Sequence, residues 1–345
     1  MSTLRLTSFE RFQRRLQGQP VDRAPNFNII MTFGAKYIGQ PLSSYYQDYR
    51  VLVASNLAMR ETFALDLVQA ISDPYRETAD FGAKIEFPED GLPLCHTPLL
   101  QAETDLIRLT PPNPATGRRM SDRLEAIRSL REKVGGDTPI MGWVEGALAE
   151  AADLRGVSAL MSDLVEQPEW VKELLAICVE TEIAFARAQI EAGADIIGLG
   201  DAVASLISPK MYAEFALPYE QRIFAAVREL GAVPRLHICG NTSRLLKLMA
   251  QSGAAIIDVD WMVDYAEAAR IFAEQGVAIC GNFDPVAVML SGTPQQVQTA
   301  VRACLAVGGA RSFSAAGCEI PMGTPHVNLD VHAQTLVEAG GTIDD

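Results

Sequence analysis

The sequence predicts an α/β protein, a (β/α)8 barrel, on three observations. Short apolar runs recur, and each is followed by a segment of helical period, the alternation of a parallel sheet with crossover helices. Glycine stands just past most of those helical segments, where a helix ends and the next strand begins. The carboxyl ends of the apolar runs are polar, and it is there that the βα loops of a barrel build a site.

The chain opens with "TSFERFQRRLQG", in which Thr7 and Glu10 stand at capping-box spacing ahead of Phe12 and Leu16. Its arginines, with Arg5, therefore suit a surface helix better than a transit peptide, and an N-terminal helical segment is expected over residues 1–24. Eight strands follow: 25–31, 64–70, 139–145, 195–201, 235–239, 256–260, 277–282 and 311–317. Between them the period predicts helices over 157–168, closing at Pro168, then 169–192, 209–230, 242–252, 263–275 and 294–307, each of these closing at a glycine. The stretch "DFGAKIEFPEDGLPLCHTPLL" (80–100) reads as a hairpin-like insertion with "EDG" as its turn. The whole chain, 1–345, reads as a single barrel domain.

Composition sets limits on partners. With 48% hydrophobic and 21% charged residues, 345 residues bury an ample core. The formal charge of -14 argues against nucleic acid and against adhesion to an anionic membrane, and no apolar run approaches the ~18 residues of a membrane span. A small neutral or cationic partner, or a protein with a basic patch, suits this charge better. Six cysteines are too few for a disulfide scaffold at this length and are read as reduced and cytoplasmic.

The strand "RLHIC" places one of only four histidines two residues before a cysteine. Side chains alternate along a strand, so His237 and Cys239 point one way while Leu236 and Ile238 point the other. Cys318, beside Gly317 in the loop "SAAGCEIPMGTP", is a third candidate ligand, since glycine lets that loop approach the barrel axis. An imidazole and two thiolates suit Zn2+, and three protein ligands leave a fourth position for substrate. A buried cysteine beside a hydrogen-bonded histidine would give the same local pattern. Cys178, Cys280 and Cys304 read as core filling, and Cys95 and His96 as neighbours pointing apart. The strand ends also supply Glu145, Asp201, Asp258 with Asp260, and Asn282 with Asp284. Aspartates there can simply cap the next turn, and the methionines, Met31 included, can be gap fillers.

Taken together, "EFPEDGLP", "GDAVASLISPKMYAEFALPYEQRI", "HICGNTSRLL", "ICGNFDPVAVML" and "AAGCEIPMGTPHVNL" resemble the uroporphyrinogen decarboxylase superfamily over about residues 7 to 335. The resemblance is nearer to its zinc-dependent corrinoid methyltransferases, the branch that includes methylcobalamin:coenzyme M methyltransferases. That resemblance implies a (β/α)8 barrel with zinc held by His237, Cys239 and Cys318. It further implies a methyl group moved between a small substrate and the cobalt of a corrinoid carried on a partner protein. The small substrate is a thiol acceptor or a methoxy or methylamine donor. On this reading Glu145 and Asp201 polarise the substrate or weakly complete the zinc shell. Met31, Asn241, Asn282 and Asp284 are the expected substrate-binding residues. A homodimer is one open option for the assembly. The rival expectation is a decarboxylase working without metal. Against it, the stretch "NFNIIMTFGAKYIG" carries one lysine and no arginine to meet a polycarboxylate.

Overall fold

The computed structural model describes residues 5–340; positions 1–4 and 341–345 of the expected domain, including the first residues of the expected N-terminal segment, lie outside the described residues. Among the described residues there are nine short strands: β1 (Val68–Gln69), β2 (Ile85–Glu86), β3 (Leu94–Cys95), β4 (Ile140–Glu145), β5 (Ile196–Gly200), β6 (Val233–His237), β7 (Ile256–Val259), β8 (Ala278–Phe283) and β9 (Ser312–Ala316). Seven of them form one parallel sheet in the order β1-β4-β5-β6-β7-β8-β9, so consecutive units of the chain lie side by side. β2 and β3 make the expected hairpin, antiparallel with Ile85 opposite Cys95. It is shorter than the 80–100 expectation: each strand has two residues, and the chain through Asp80 is still in a helix, Arg76–Asp80.

The eighth barrel position is filled by residues 25–29, and here the expected strand is reduced to a single bridge, Asn26 with Ser314. On one side Phe27 N–H donates to Ser314 O and Ser314 N–H to Pro25 O, both at 2.9 Å. On the other, Asp66 N–H donates to Asn26 O at 3.0 Å. Side chains supply the rest of the pairing: Asn28 Oδ1 accepts from Ala316 N–H at 2.8 Å, and Gln69 Nε2 donates to Asn28 O at 3.1 Å. Buried amides thus replace a ladder.

Several helices differ from expectation for local reasons. The segment 209–230 is two helices, Pro209–Phe215 and Leu217–Glu229, because Pro218 has no N–H to continue the first and opens the second instead. The segment 242–252 keeps only Leu246–Met249 as α-helix; its neighbours wind more tightly, with Leu245 N–H on Thr242 O and Gln251 N–H on Leu248 O. Pro168 begins Pro168–Ala192 rather than simply ending Val157–Glu166. The expected N-terminal helix covers Ser8–Leu16, with the capping box of Thr7 and Glu10 formed.

Strand alternation sorts the core. Met141, Trp143, Ile196, Ile256 and Phe313 face inward, whereas Val144, Leu199, Leu236 and Ile257 pack under the helices. The N-terminal helix plugs the amino-terminal end, stacking Phe12 on Phe27 at 5.8 Å. Its Arg15 donates to Ser312 O, and Arg11 joins Arg23 on the fully buried Asp66.

A second buried polar region lies between β4, β5 and their helices, where Glu77, Glu150, Glu182, Asp201 and Glu220 are all inaccessible. Thr78 Oγ1 donates to Glu150, and Tyr212 Oη–H donates to Glu220 Oε2 at 2.6 Å. Burial raises these carboxyls, Glu220 to about 7 from an ordinary 4.5, and Glu150, Glu182 and Asp201 well above theirs.

Asp66→Ala leaves the half-buried Arg23 without its carboxylate and Arg11 with Asp22 alone, and is expected to lower the unfolding free energy by about 3 kcal/mol, read by denaturant titration. Because the folded-state value of Glu220 lies above the unfolded one, its stabilisation is full below about pH 4.5 and is lost as pH rises through about 7. The melting temperature is therefore expected to fall between pH 5 and pH 8. Glu220→Gln is expected to flatten that slope by on the order of 1 kcal/mol per pH unit; an unchanged slope contradicts the assignment.

Candidate metal centre at the barrel mouth

β6 ends at His237, and Gly240, at a positive φ of 87°, turns the chain immediately beyond Cys239. The turn is braced by Asp260, whose Oδ2 accepts from Gly240 N–H at 2.9 Å and whose Oδ1 accepts from Met262 N–H at 3.0 Å. Within the barrel, Asp258 lies between Arg235 Nε at 2.8 Å and His237 Nδ1 at 3.0 Å. That contact orients the ring so that Nε2 faces the sulfurs.

Cys318 arrives from the loop after β9. A Cβ on Gly317 would meet Trp261 N at 2.4 Å, so only glycine lets this loop lie against the one following β7. The loop is held on both sides of the cysteine: Gly317 N–H donates to Phe283 O and Ile320 N–H to Ile29 O, each at 2.9 Å. Glu319 Oε1 accepts from Thr32 N–H at 2.7 Å and Thr32 Oγ1–H at 2.6 Å.

The three expected ligands meet. His237 Nε2 lies 3.1 Å from Cys239 Sγ and 3.9 Å from Cys318 Sγ, and the sulfurs are 3.9 Å apart. Among the described residues this is the one His, Cys, Asp and Glu group of three placed to share a metal ion. Hydrogen bonds from Cys239 and His237 hold the Cys318 thiol down at about 4, while the same sulfur contact and burial push Cys239 up. Burial alone would lower His237, but the neighbouring sulfurs and Asp258 raise it well above its ordinary value. The trio thus keeps one sulfur as thiolate, and an incoming cation would displace the remaining protons.

The triad opens on a cavity of about 170 Å³ whose walls are largely apolar, with Ile29, Met31, Ile71, Pro74 and Trp143. Its polar lining is Asp73, Arg76, Glu145 and Glu319. Arg76 Nη2 donates to Glu145 Oε1 at 2.7 Å and lies 3.4 Å from Glu77 Oε2, and Nη1 donates to Asp73 O. Arg119 pairs with Asp73 at 2.6 Å and, against burial, holds that carboxyl below its usual range. Burial raises Glu145 to about 7, with Arg76 opposing and Glu77 adding to the rise.

Of the other expected site residues, Met31 and Glu145 line the cavity and four do not. Asp201 turns away between its cavity-lining neighbours Gly200 and Ala202. Its carboxyl packs where a Cβ on Gly146 would sit, 2.4 Å from Cγ, close to the backbone N–H of Ala149 in the first turn of Ala147–Arg155. Asn241 is exposed and accepts from Ser243 N–H at 3.2 Å. Asn282 Nδ2 donates to Asp260 O and Val263 O, binding two loops together. Asp284 caps the short helix Pro285–Leu290 through Val286 and Ala287 N–H. For Asn241, Asn282 and Asp284 backbone groups claim the polar side chain, as turn chemistry favours for Asn and Asp. Asp73, Arg76, Trp143 and Glu319 went unread in the sequence. Two carried a signal: Glu319 adjoins Cys318, and Asp73 stands three residues past the end of the second expected strand.

The family described as uroporphyrinogen decarboxylase (URO-D) matches residues 7–339. The methylcobamide:CoM methyltransferase MtbA of Methanosarcina mazei is 32% identical over 340 residues, covering 96% of this chain and 97% of its own. The uroporphyrinogen decarboxylase of Nostoc punctiforme is 29% identical over 288 residues, covering 79% and 80%. In structure, a methyltransferase from Methanosarcina mazei superposes with a TM-score of 0.89 at 25% identity, covering 97% of this chain and 99% of its own. A B12-independent methionine synthase from Shewanella sp. shares the fold at 15% identity and a TM-score of 0.56. With the family match spanning nearly every described residue and a relative alike in sequence from end to end, the chain belongs to the uroporphyrinogen decarboxylase family.

Proposed function

We propose that this protein is a zinc-dependent methyltransferase that moves a methyl group between a small substrate and the cobalt of a corrinoid held by a partner protein. One observation carries the reading: His237, Cys239 and Cys318 bring their ligand atoms within 4.8 Å of one another. A tetrahedral face with Zn–S bonds of about 2.3 Å and Zn–N bonds of about 2.1 Å has edges of similar length. Asp258 behind the imidazole is the oxygen partner that zinc-bound histidines usually have. The relatives named methylcobamide:CoM methyltransferases support a corrinoid as the second reactant. A site that depends on two reduced sulfurs supports a cytoplasmic setting.

When bound, zinc would lower the pKa of a substrate thiol and favour its thiolate. The chain's own residues do the rest. Asp258 and the braced turn at Gly240 fix the first two ligands, and the pinned loop fixes the third. Apolar walls exclude water beside the sulfurs, which favours a nucleophile stripped of its hydration shell. Glu145, held near neutrality on the cavity wall, accepts the proton that the thiol gives up. A methoxy or methylamine donor would use the same pocket in the opposite direction. The metal-free decarboxylase reading has no observation of comparable specificity, since the single guanidinium lining the cavity is already paired with carboxylates.

Purified protein is expected to hold about one zinc per chain and to convert methylcobalamin to cob(I)alamin when given a suitable thiol. Cys239→Ser is expected to lose both properties, and zinc retained at full stoichiometry in that variant contradicts the ligand set. Asp258→Asn is expected to weaken zinc binding by about 10–100-fold. The rate of thiol methylation is expected to rise with pH through about 7 as Glu145 loses its proton, and Glu145→Gln to remove that limb; a profile identical in the two proteins excludes Glu145 as the acceptor.

A further inference from the structure

The cavity beside the triad has a charge pattern that restricts what can enter it. Apart from the His237 of the triad itself, its only basic lining residue is Arg76, which is fully buried and whose charge is already shared between Glu77 and Glu145. Arg119, the nearest further guanidinium in this network, is engaged by Asp73. Against that single compensated cation the lining carries three carboxyls, those of Asp73, Glu145 and Glu319. Asp73 and Glu145 have guanidinium partners, whereas Glu319 has none. Its Oε1 is occupied by the two Thr32 donors, and its Oε2 has no donor among the described residues.

From this we infer that the small substrate carries no anionic group, and that the end remote from its reacting atom is a hydrogen-bond donor, an ammonium in preference to a hydroxyl, received by Glu319 Oε2. The inference rests on the methyl-transfer reading above and deepens it to a substrate class. An anionic tail would have to be desolvated in a mostly apolar cavity with no unpaired cation to meet it, a cost that only pairing offsets. A cationic tail meets the opposite situation, with an unpaired carboxyl oxygen and the Trp143 ring in the same wall. Volume sets a second limit. A cavity of about 150 Å³ holds a molecule the size of benzene, so about 170 Å³ admits a substrate of only a few carbons beyond the reacting atom.

The test uses zinc-loaded protein, free methylcobalamin and three thiols of equal length: 2-aminoethanethiol, 2-sulfanylethanol and 2-sulfanylethanesulfonate. Cobalamin absorbance gives kcat and KM, with rates referred to the thiolate fraction of each compound. The sulfonate is expected to have a kcat/KM at least tenfold below that of either other thiol, chiefly through KM, with the amine best. Glu319→Gln is expected to lower kcat/KM for the amine several-fold more than for the hydroxyl compound. A sulfonate that is equal or superior overturns the inference, as does an equal loss for amine and hydroxyl in the variant. Should none of the three be methylated, the thiol-methylation reading fails, and calorimetric titration of the same protein with propylammonium and propanesulfonate decides the charge preference separately. Tighter binding of propanesulfonate overturns it there, and tighter binding of propylammonium upholds it.

Discussion

The mouth of this barrel depends on one carboxylate, Asp258, held between a guanidinium and an imidazole. Arg235 is almost entirely buried inside the barrel, with Cys280 Sγ 3.7 Å from its Nη2 and the Phe27 ring beneath it at 5.5 Å. Burial by itself would raise Asp258, yet Arg235 and His237 together hold it below its ordinary value, so it stays ionised in the interior. A charged column therefore rises through an otherwise apolar barrel from Arg235 through Asp258 to His237, and the two sulfurs stand at its top. Each member satisfies the next, and no member could be buried alone at tolerable cost.

The other half of the site is a matter of closure. Cys318 comes from the far side of the sheet, after β9, and reaches the β6 residues only because the last strand is tied back to the first segment of the barrel. Phe27 and Ser314, Asn28 and Ala316, Ile29 and Ile320, and Thr32 and Glu319 are successive ties along one seam. The metal-binding geometry is thus shared between a strand end fixed by in-register pairing and a loop fixed by the seam. The floor of the cavity, where Arg76 meets Glu77 and Glu145, joins these two to the buried acidic region behind β4.

Much of this was legible in the sequence, because periodicity and ligand chemistry are local properties. The alternation of Arg235, Leu236, His237 and Ile238 between two environments follows from strand geometry alone, and a cysteine after glycine in a polar loop has few packing roles. What escaped was decided in part by partners distant in the chain. Nothing near Asn282 announces that carbonyls some twenty residues earlier will take its amide, whereas Asp284 and Asn241 are claimed by amides two or three residues on, a local capping that their residue types allow. Asp201 looked like a site residue because small neighbours flank it, yet the space at Gly200 is taken by Trp143 while the Asp201 carboxyl packs against the distant Gly146. The expected first strand shrank to one bridge because asparagine side chains carry its pairing, a substitution that hydropathy patterns do not register.

That seam has a further meaning for how such a barrel can diversify. A regular ladder binds every residue of a strand through its backbone, so shifting one shifts all. Where pairing passes through a few amide side chains instead, the cavity-wall residue between the Ile29 and Thr32 ties, Met31, is free to change its chemistry while the sheet stays closed. The joint that completes the barrel is also its most adjustable wall, and relatives with different substrates could be re-cut there without disturbing the ligands opposite.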